Sequence, residues 1–446
     1  MFMLRFTAFQ HRMKVFMKKI ALLLIFAGWF WPLAAAAEAP IRTGETLELD
    51  RCIEIALKAH PAIRAASYTL KAGESRVGQA KAGYYPQVSG SAGYSRTSPY
   101  TTTSGRLPTS SGRVYDSTNS VIGLSQNIYD FGKTAAQVQI QALNLDSSRS
   151  DLDHAVAQIV FGVRQAYWGL LRAQRDRGVA GEVVGQYGQH LSRAKGFFEV
   201  GLKPKFDVTK AEVDLSNAKL NLLKAENALR LAQVALSNAM GLPEAPDYGI
   251  RDSLAFERVQ VDLEQMLRQA YDRRPDLQAV LVKKKSLEET IGLQKKGYYP
   301  YVTGNASYGW GGDSSPLDQG WSVGATLNVP LFSGFSTKYQ VEEARANLDV
   351  LKANEETLRQ GIFLEVKQAW LNLQEAADRI GAAEIVVRQA AENLELANGR
   401  YAAGVGNPIE VTDALVAQSN AKTNHIAALY DYKMAQATLE KATGAK

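Results

Sequence analysis

Cysteine is almost missing: Cys52 is the single one in 446 residues, so no internal disulfide holds the chain together. Cys52 also lacks the small-residue context of a lipidation site and reads as an ordinary helix residue. The five histidines, His11, His60, His154, His190 and His425, are scattered, with none at metal-ligand spacing from Cys or Asp. No Gly-rich loop ending in Gly-Lys-Ser/Thr occurs, so there is no P-loop for ATP and any energy must come from a partner. The carboxylates run along helical stretches without converging. No catalytic, cofactor-binding or metal-binding set is expected, and the chain does not read as an enzyme. Past residue 37 no apolar run reaches the roughly 20 residues of a membrane helix. A one-sided charge is lacking too. The first 37 residues hold Arg5, Arg12, Lys14, Lys18 and Lys19 and no acid, which leaves 46 basic against 45 acidic residues on the remainder. A nucleic-acid binder would keep a basic excess there, so no nucleic-acid partner is expected.

The start of the chain, 1–37, reads as a secretory signal peptide. Lys18 and Lys19 precede an apolar core over 20–31, and small residues at 34–37 supply a cleavage site after Ala37. The run is too short for a spanning anchor. Met13 and Met17 are alternative starts.

The rest is one unit written twice. KAGYYPQVSGSAGYS, starting at Lys81, returns as KKGYYPYVTGNASYG at Lys295, 214 residues on, and Pro61 returns as Pro275. Further along the offset is 203: Val163, Gln165, Ala166 and Leu170 match Val366, Gln368, Ala369 and Leu373, and Gly241 matches Gly444. The 11-residue change falls between two strand-like runs, so the first copy has the longer loop. The expected unit is helix, hairpin, long helix, turn, helix. Repeat 1 covers 38–245, with a hairpin at about 86–130, a long helix at about 133–200 and a return helix at about 206–240. Repeat 2 covers 246–446, with the corresponding elements at about 300–332, 337–403 and 409–443.

In the hairpins Val88, Gly90, Ala92 and Tyr94 alternate with Gln87, Ser89, Ser91 and Gly93, and Trp321, Val323, Ala325, Leu327 and Val329 with Ser322, Gly324, Thr326 and Asn328. The run 121–129 alternates less cleanly. Period two means strand. A soluble half-buried sheet shows the same pattern, but three features favour a membrane barrel. The runs approach the roughly 9–11 residues of a tilted membrane strand. The apolar face ends in aromatics, like an interfacial girdle, and the other face is Ser, Thr, Asn and Gly, which suits a wet lumen. The stretches SPYTTTSGRLPTSSGRVYDS and GGDSSPLDQ read as polar outer loops. Four strands cannot close a barrel, and open edges in lipid cost several kcal/mol per unpaired group, so several copies must pool their strands.

Stretches 133–200 and 337–403 contain almost no breakers, and 68 helical residues span about 100 Å. In the first return helix Val208, Ala211, Leu215, Ala218, Leu222, Ala225, Leu229, Ala232, Leu236 and Ala239 alternate spacings of 3 and 4. In the second, Ala414, Ala421, Ala428, Ala435 and Ala442 recur every seven residues, the mark of a left-handed supercoil. There Gln418, His425 and Tyr432 replace the large apolar seam residues. Either that face looks into a water-filled tube or these side chains bond to neighbouring helices.

Taken in duplicate, the GYYP corners, the IYDFG and LFSGF segments, the QAYWGLL and QAWLNLQ helix motifs, and the turns EVGLKPKFDV and AAGVGNPIEV resemble the TolC family of outer membrane efflux proteins over essentially the whole mature chain. The resemblance implies a mainly α protein with a membrane β-barrel portion: a homotrimer whose 12-stranded barrel sits in outer membrane lipid above a long periplasmic α-helical barrel. It implies an exit duct, in the cell outer membrane, of a tripartite efflux or type I secretion system. Its partners would be a periplasmic adaptor and an inner-membrane pump of RND, ABC or MFS type; no cofactor is implied. On this reading Val200, Gly201, Leu202, Arg400, Ala403, Gly404 and Val405 form the helix tips that meet the adaptor. Phe197 stands where the second copy has Arg400, so the tips should differ. Glu410 and Asp413, three apart on one helix face, would repeat as a ring of about six carboxylates, an acidic constriction that selects cations. Asp207 matches Glu410, and Lys210 replaces the second acid. Asp207 and Tyr401 resemble partners in the bonds that hold the entrance shut, while Gly406 stands where an arginine would strengthen that lock. A passive porin would have no use for the tube, and a periplasmic coiled-coil scaffold would leave the aromatic hairpins without a purpose.

Overall fold

The computed structural model describes residues 41–42, 44–97, 114–242, 247–313 and 317–445. The expected signal peptide and most of the first polar loop lie outside the described residues. The chain divides into two compact units. Of the smaller, residues 41–42, 44–46 and 247–249 are described. There Gly44 N–H donates to Asp247 O at 2.8 Å and Gly249 N–H to Glu45 O at 2.9 Å.

All other elements belong to the larger unit. They are α1 (Leu49–Ala59), α2 (Pro61–Lys81), β1 (Gln87–Thr97), β2 (Tyr115–Tyr129), α3 (Lys133–Glu199), α4 (Lys205–Ala239), α5 (Leu263–Arg273), α6 (Pro275–Lys295), β3 (Tyr301–Gly312), β4 (Asp318–Asn328), α7 (Ser336–Ala402) and α8 (Pro408–Ala442). The strands form one antiparallel sheet in the order β1-β2-β3-β4. This sheet is open: among the described residues nothing pairs with the outer side of β1 or β4. Tyr115, Asp116 and Ser117, read above as loop, belong to β2, where the Asp116 carboxylate accepts from Tyr94 OH at 2.9 Å. Gly311, Gly312, Asp318 and Gln319 likewise extend β3 and β4 rather than their loop. The run 121–129 is regular in register as far as Asn127, and its end is not. The β2–β3 register shifts between Asn127 and Tyr129, a bulge that breaks the two-residue period.

Below the sheet, α3 and α7 carry the architecture. Helix α3 packs against α2 and α6 along its first part and against α4 and α8 along its second; α7 packs against α6 and then α8. Each long helix begins after two consecutive left-handed residues, Phe131 (φ 53°) and Gly132 (φ 78°) in one copy, Gly334 (φ 59°) and Phe335 (φ 65°) in the other. Phenylalanine there costs about 1–2 kcal/mol. Around the first of these turns, Asp130 accepts from Gly132 N–H at 2.9 Å and Thr134 N–H at 2.7 Å.

The heptads turn inward. All five sevenfold alanines of α8 are buried, and every named seam position of α4 is buried or half-buried. Two of the three polar seam residues of α8 bond to other elements, while His425 Nε2 is buried with no hydrogen-bond partner among the described residues. Gln418 accepts from Gln186 of α3 at 3.2 Å, and Tyr432 OH donates to Glu257 O at 2.6 Å. Both copies close in the same way. Gly241 (φ 77°) ends α4 against His60 and Pro61, and Gly444 (φ 70°) ends α8 against Arg273 and Arg274.

A Cβ at 241 would lie 2.7 Å from His60 Cα, whereas one at Gly201, equally left-handed at φ 74°, meets nothing within 4 Å. Gly241→Ala should therefore lower the melting temperature of the purified protein in detergent more than Gly201→Ala. The first should cost about 1–3 kcal/mol and the second about 1 kcal/mol. Equal shifts would show that the helix-end contact carries no stability.

Candidate functional site

The two turns joining α3 to α4 and α7 to α8 lie side by side and bring the candidate residues together. Glycine ends each long helix. Gly201 and Gly404 (φ 79°) take the left-handed conformation that turns a chain out of a helix. Leu202 N–H then returns to Phe197 O at 2.8 Å and Gly406 N–H to Arg400 O at 2.9 Å. Val200, Leu202 and Val405 are about 70% exposed, so both turns present apolar side chains outward.

The turns are not built alike. Asn407 Oδ1 accepts from Ile409 N–H at 3.0 Å and caps α8, while Pro204 caps α4 with no side-chain bond. Arg400 turns onto its own hairpin, Nε to Glu410 Oε2 at 3.1 Å, rather than pointing free. Glu410 is therefore partly neutralised. Asp413 is exposed and makes no ion pair among the described residues. The two acids share a helix face but not an electrostatic state.

Behind the turns lies a buried polar cluster. Tyr401 is fully buried, with its ring 5.1 Å from His190 and 5.6 Å from Phe197. Within one chain the Tyr401 hydroxyl has no hydrogen-bond partner among the described residues. Burial raises the Tyr401 pKa, and the nearby Asp207 charge adds to the effect. Within one chain the two residues are thus coupled by charge rather than by a bond.

The missing arginine at 406 has a steric reason. A Cβ there would lie 2.7 Å from Tyr401 N and 2.9 Å from the Arg400 carbonyl carbon, so the tight return admits glycine. A cation arrives instead from the first turn. Lys203 Nζ donates to Gly406 O at 3.4 Å and stands 5.6 Å from the Tyr401 ring centroid. Lys210 turns back to clamp Asp214, its Nζ 2.5 and 2.6 Å from the two carboxylate oxygens. Asp214 also accepts from Thr412 Oγ1 of α8 at 3.0 Å. The sequence reading missed Lys203, His190, Asp214 and Thr412. The i, i+4 spacing of Lys210 and Asp214 was a signal for one pair; the others meet only across hairpins. Among the described residues no cluster of three His, Cys, Asp or Glu side chains could hold a metal ion.

A family model described as "Outer membrane efflux protein" matches residues 52–242 and 266–445. The chain belongs to the outer membrane efflux protein family. The Outer membrane protein TolC of Vibrio cholerae is 24% identical over 335 residues, 72% of this chain and 76% of that protein. Protein CyaE of Bordetella pertussis is 26% identical over 392 residues, 86% and 81% of the two chains. The solved CusC channel superposes with a TM-score of 0.78 at 17% identity, covering 92% of this chain and 98% of that one. As an outer membrane efflux protein the chain is an exit duct in the outer membrane, serving efflux or secretion. The family is a channel family, not an enzyme class.

Buried His190 is expected to make this site of the efflux protein respond to pH. Burial holds its pKa below the ordinary histidine value; Asp214 and Asp207 pull upward, while Arg193 and Lys210 push down. A loosened tip therefore binds the proton first. The contribution of neutral His190 to the packing of the turns is fully present above about pH 6.5, the unperturbed value, and is lost as pH falls below it. Hydrogen-exchange protection factors around His190 should be lower at about pH 5.5 than at about pH 7.5. His190→Gln should remove the difference; a pH response surviving that substitution would reject His190 as its origin.

Proposed function

We propose that three copies of this chain assemble into one continuous duct: a 12-stranded barrel in outer membrane lipid, prolonged by a periplasmic tube of helices. The observation that carries this is the open sheet. In lipid the outer edges of β1 and β4 need backbone partners. An edge that meets a different edge makes a head-to-tail contact, which closes into a ring by rotation. Three is the number the family resemblance implies. The helices support the same closure. Helix α4 leaves Val213, Leu220 and Val234 exposed, and α7 leaves Val350, Leu364 and Leu396 exposed. In the proposed assembly these exposed positions are where neighbouring copies meet.

In this assembly the helices of 67 residues form a tube about 100 Å long. The tube delivers substrate from an inner-membrane pump of RND, ABC or MFS type through a periplasmic adaptor. The exposed tips carrying Val200, Gly201, Leu202, Ala403, Gly404 and Val405 meet that adaptor. Arg400 contributes through its hold on Glu410. Asp207 and Tyr401 belong to the closed entrance, and Asp413 with Glu410 forms the acidic constriction. Because Arg400 offsets Glu410, Asp413 carries the larger share of the field.

Light scattering of the detergent-solubilised protein should give about three times the chain mass; a monomer would reject the shared barrel. In planar bilayers, millimolar divalent or trivalent cations should block the wild-type channel. Glu410→Ala with Asp413→Ala should abolish the block, and Asp413→Ala alone should remove most of it. Unchanged block in the double variant would remove the acidic ring from the mechanism.

A further inference from the structure

At the base of the sheet the two copies differ by one fixed cation. Residues directly opposite one another in a sheet share a face. Val302, Ala306 and Tyr308 of β3 stand opposite Leu327, Val323 and Trp321 of β4, which makes this the apolar face. Tyr129 stands opposite Val302 and belongs to it. The Tyr129 ring packs on Phe131 with centroids 4.7 Å apart, and Phe131 on Tyr299 at 5.7 Å. All three rings are exposed. Beside them Lys296 Nζ donates to Phe131 O at 3.1 Å and to Gly132 O at 3.2 Å. A Cβ on Gly132 would lie 3.0 Å from that Nζ. The Lys296 ammonium is thus held in place with one of its three N–H donors unspent. Lys295 next to it is exposed, and neither lysine makes an ion pair among the described residues. The acid by the rings, Asp130, is taken up by Gly132 N–H, Thr134 N–H and Thr134 Oγ1.

A cation at a helix C-terminus is ordinary, because it offsets the carbonyls there. Lys81 and Lys295, the last residues of α2 and α6, both fit that role. Lys296 instead crosses to the turn that starts α3. The repeat singles it out: Lys295 corresponds to Lys81 and Tyr299 to Tyr85, but Lys296 corresponds to Ala82. The paired charge therefore occurs at one corner of each chain. Aromatic rings sit at the level of lipid headgroups, and lysines near that level are drawn to anionic lipids. We propose that Lys295, Lys296, Tyr129, Phe131 and Tyr299 bind the headgroup of an anionic glycerophospholipid from the leaflet on the side of the long helices. The phosphate takes the free Lys296 donor and faces the charge of Lys295, while the glycerol and upper acyl carbons lie on the rings. An ethanolamine lipid carries its own ammonium beside the phosphate and gains less from two lysines. Lys133 takes no part: its Nζ lies over Tyr301, which shares the polar face with Asn328. This inference rests on the reading of the sheet as embedded in lipid.

The full chain can be reconstituted into nanodiscs of phosphatidylethanolamine mixed with phosphatidylglycerol, then released into detergent and its retained lipids counted by native mass spectrometry. Phosphatidylglycerol should be enriched roughly tenfold over its share of the disc lipid, the scale of two lysines at an anionic headgroup. Lys295→Gln, which breaks no described contact, should lower the enrichment about threefold, the share of one lysine. Lys295→Gln with Lys296→Gln should remove it, and Lys81→Gln at the first corner should leave it unchanged. Inorganic phosphate at matched ionic strength should leave the bound lipid in place; displacement would overturn the lipid as the ligand. A preference that Lys295→Gln does not lower would overturn the site, because loss in the double variant could then come from the turn at Phe131. An equal fall in Lys81→Gln would also overturn it, in favour of a general basic surface. A wild-type protein that enters discs and shows no preference overturns the site alone. One that enters no disc overturns the lipid-embedded sheet as well.

Discussion

The backbone along the free sides of β1 and β4 sets the terms for the rest of the molecule. Peptide N–H and C=O groups there point away from the sheet, and in hydrocarbon each one left unpaired costs several kcal/mol. Water would satisfy such groups; lipid does not. On the proposed reading, further copies of the same sheet supply the strands that an open four-stranded sheet needs in the outer membrane. The helices inherit the consequence. Strand β2 runs into α3 and β4 into α7, so the proposed closure of the sheet would also set long helices beside one another. Residues that look misplaced on a single chain, such as Leu220 and Leu396, then have a side to pack on.

Duplication builds the scaffold, and divergence between the copies sets the two hairpin turns apart. The closing contacts of Gly241 and Gly444 are alike, as are the paired left-handed residues before each long helix. At the turns the copies part. Arg400 faces its own Glu410, where the first copy has Phe197 packed on Tyr401. The acid at 413 becomes Lys210, which is spent on Asp214. Lys203 crosses to the second turn. A symmetric pair of hairpins would offer every junction the same strength. These substitutions instead place the polar links inside one chain, around a tyrosine whose pKa burial raises and a histidine whose pKa burial lowers.

Much of this architecture is local and therefore visible in one dimension. A strand shows a period of two and a coiled coil a period of seven. The alternation of Trp321, Val323 and Leu327 and the sevenfold alanines of α8 announce a sheet and a close-packed helix pair without any knowledge of their partners. The duplication is visible because it repeats these periods with its corners and end glycines in place. The strand ends were less legible: Asp116 and Asp318 are polar residues whose strand character comes from a cross-strand partner, not from their own propensity. The bulge before Tyr129 was hidden for the same reason, since it exists only relative to β3.

The sequence by itself determined the repeat, the hairpins, the long helices and the family resemblance, because each depends on residues within one or two turns or strands of one another. The tertiary structure decided the chemistry of the hairpin turns. Asp214 and Thr412 are 198 residues apart, and Lys203 and Gly406 are 203 apart; no local pattern links them. Position 406 excludes a side chain only because the turn brings the backbone of Arg400 and Tyr401 against it. Burial, which sets the proton affinity of His190, is a property of the packed hairpins and has no value until they meet.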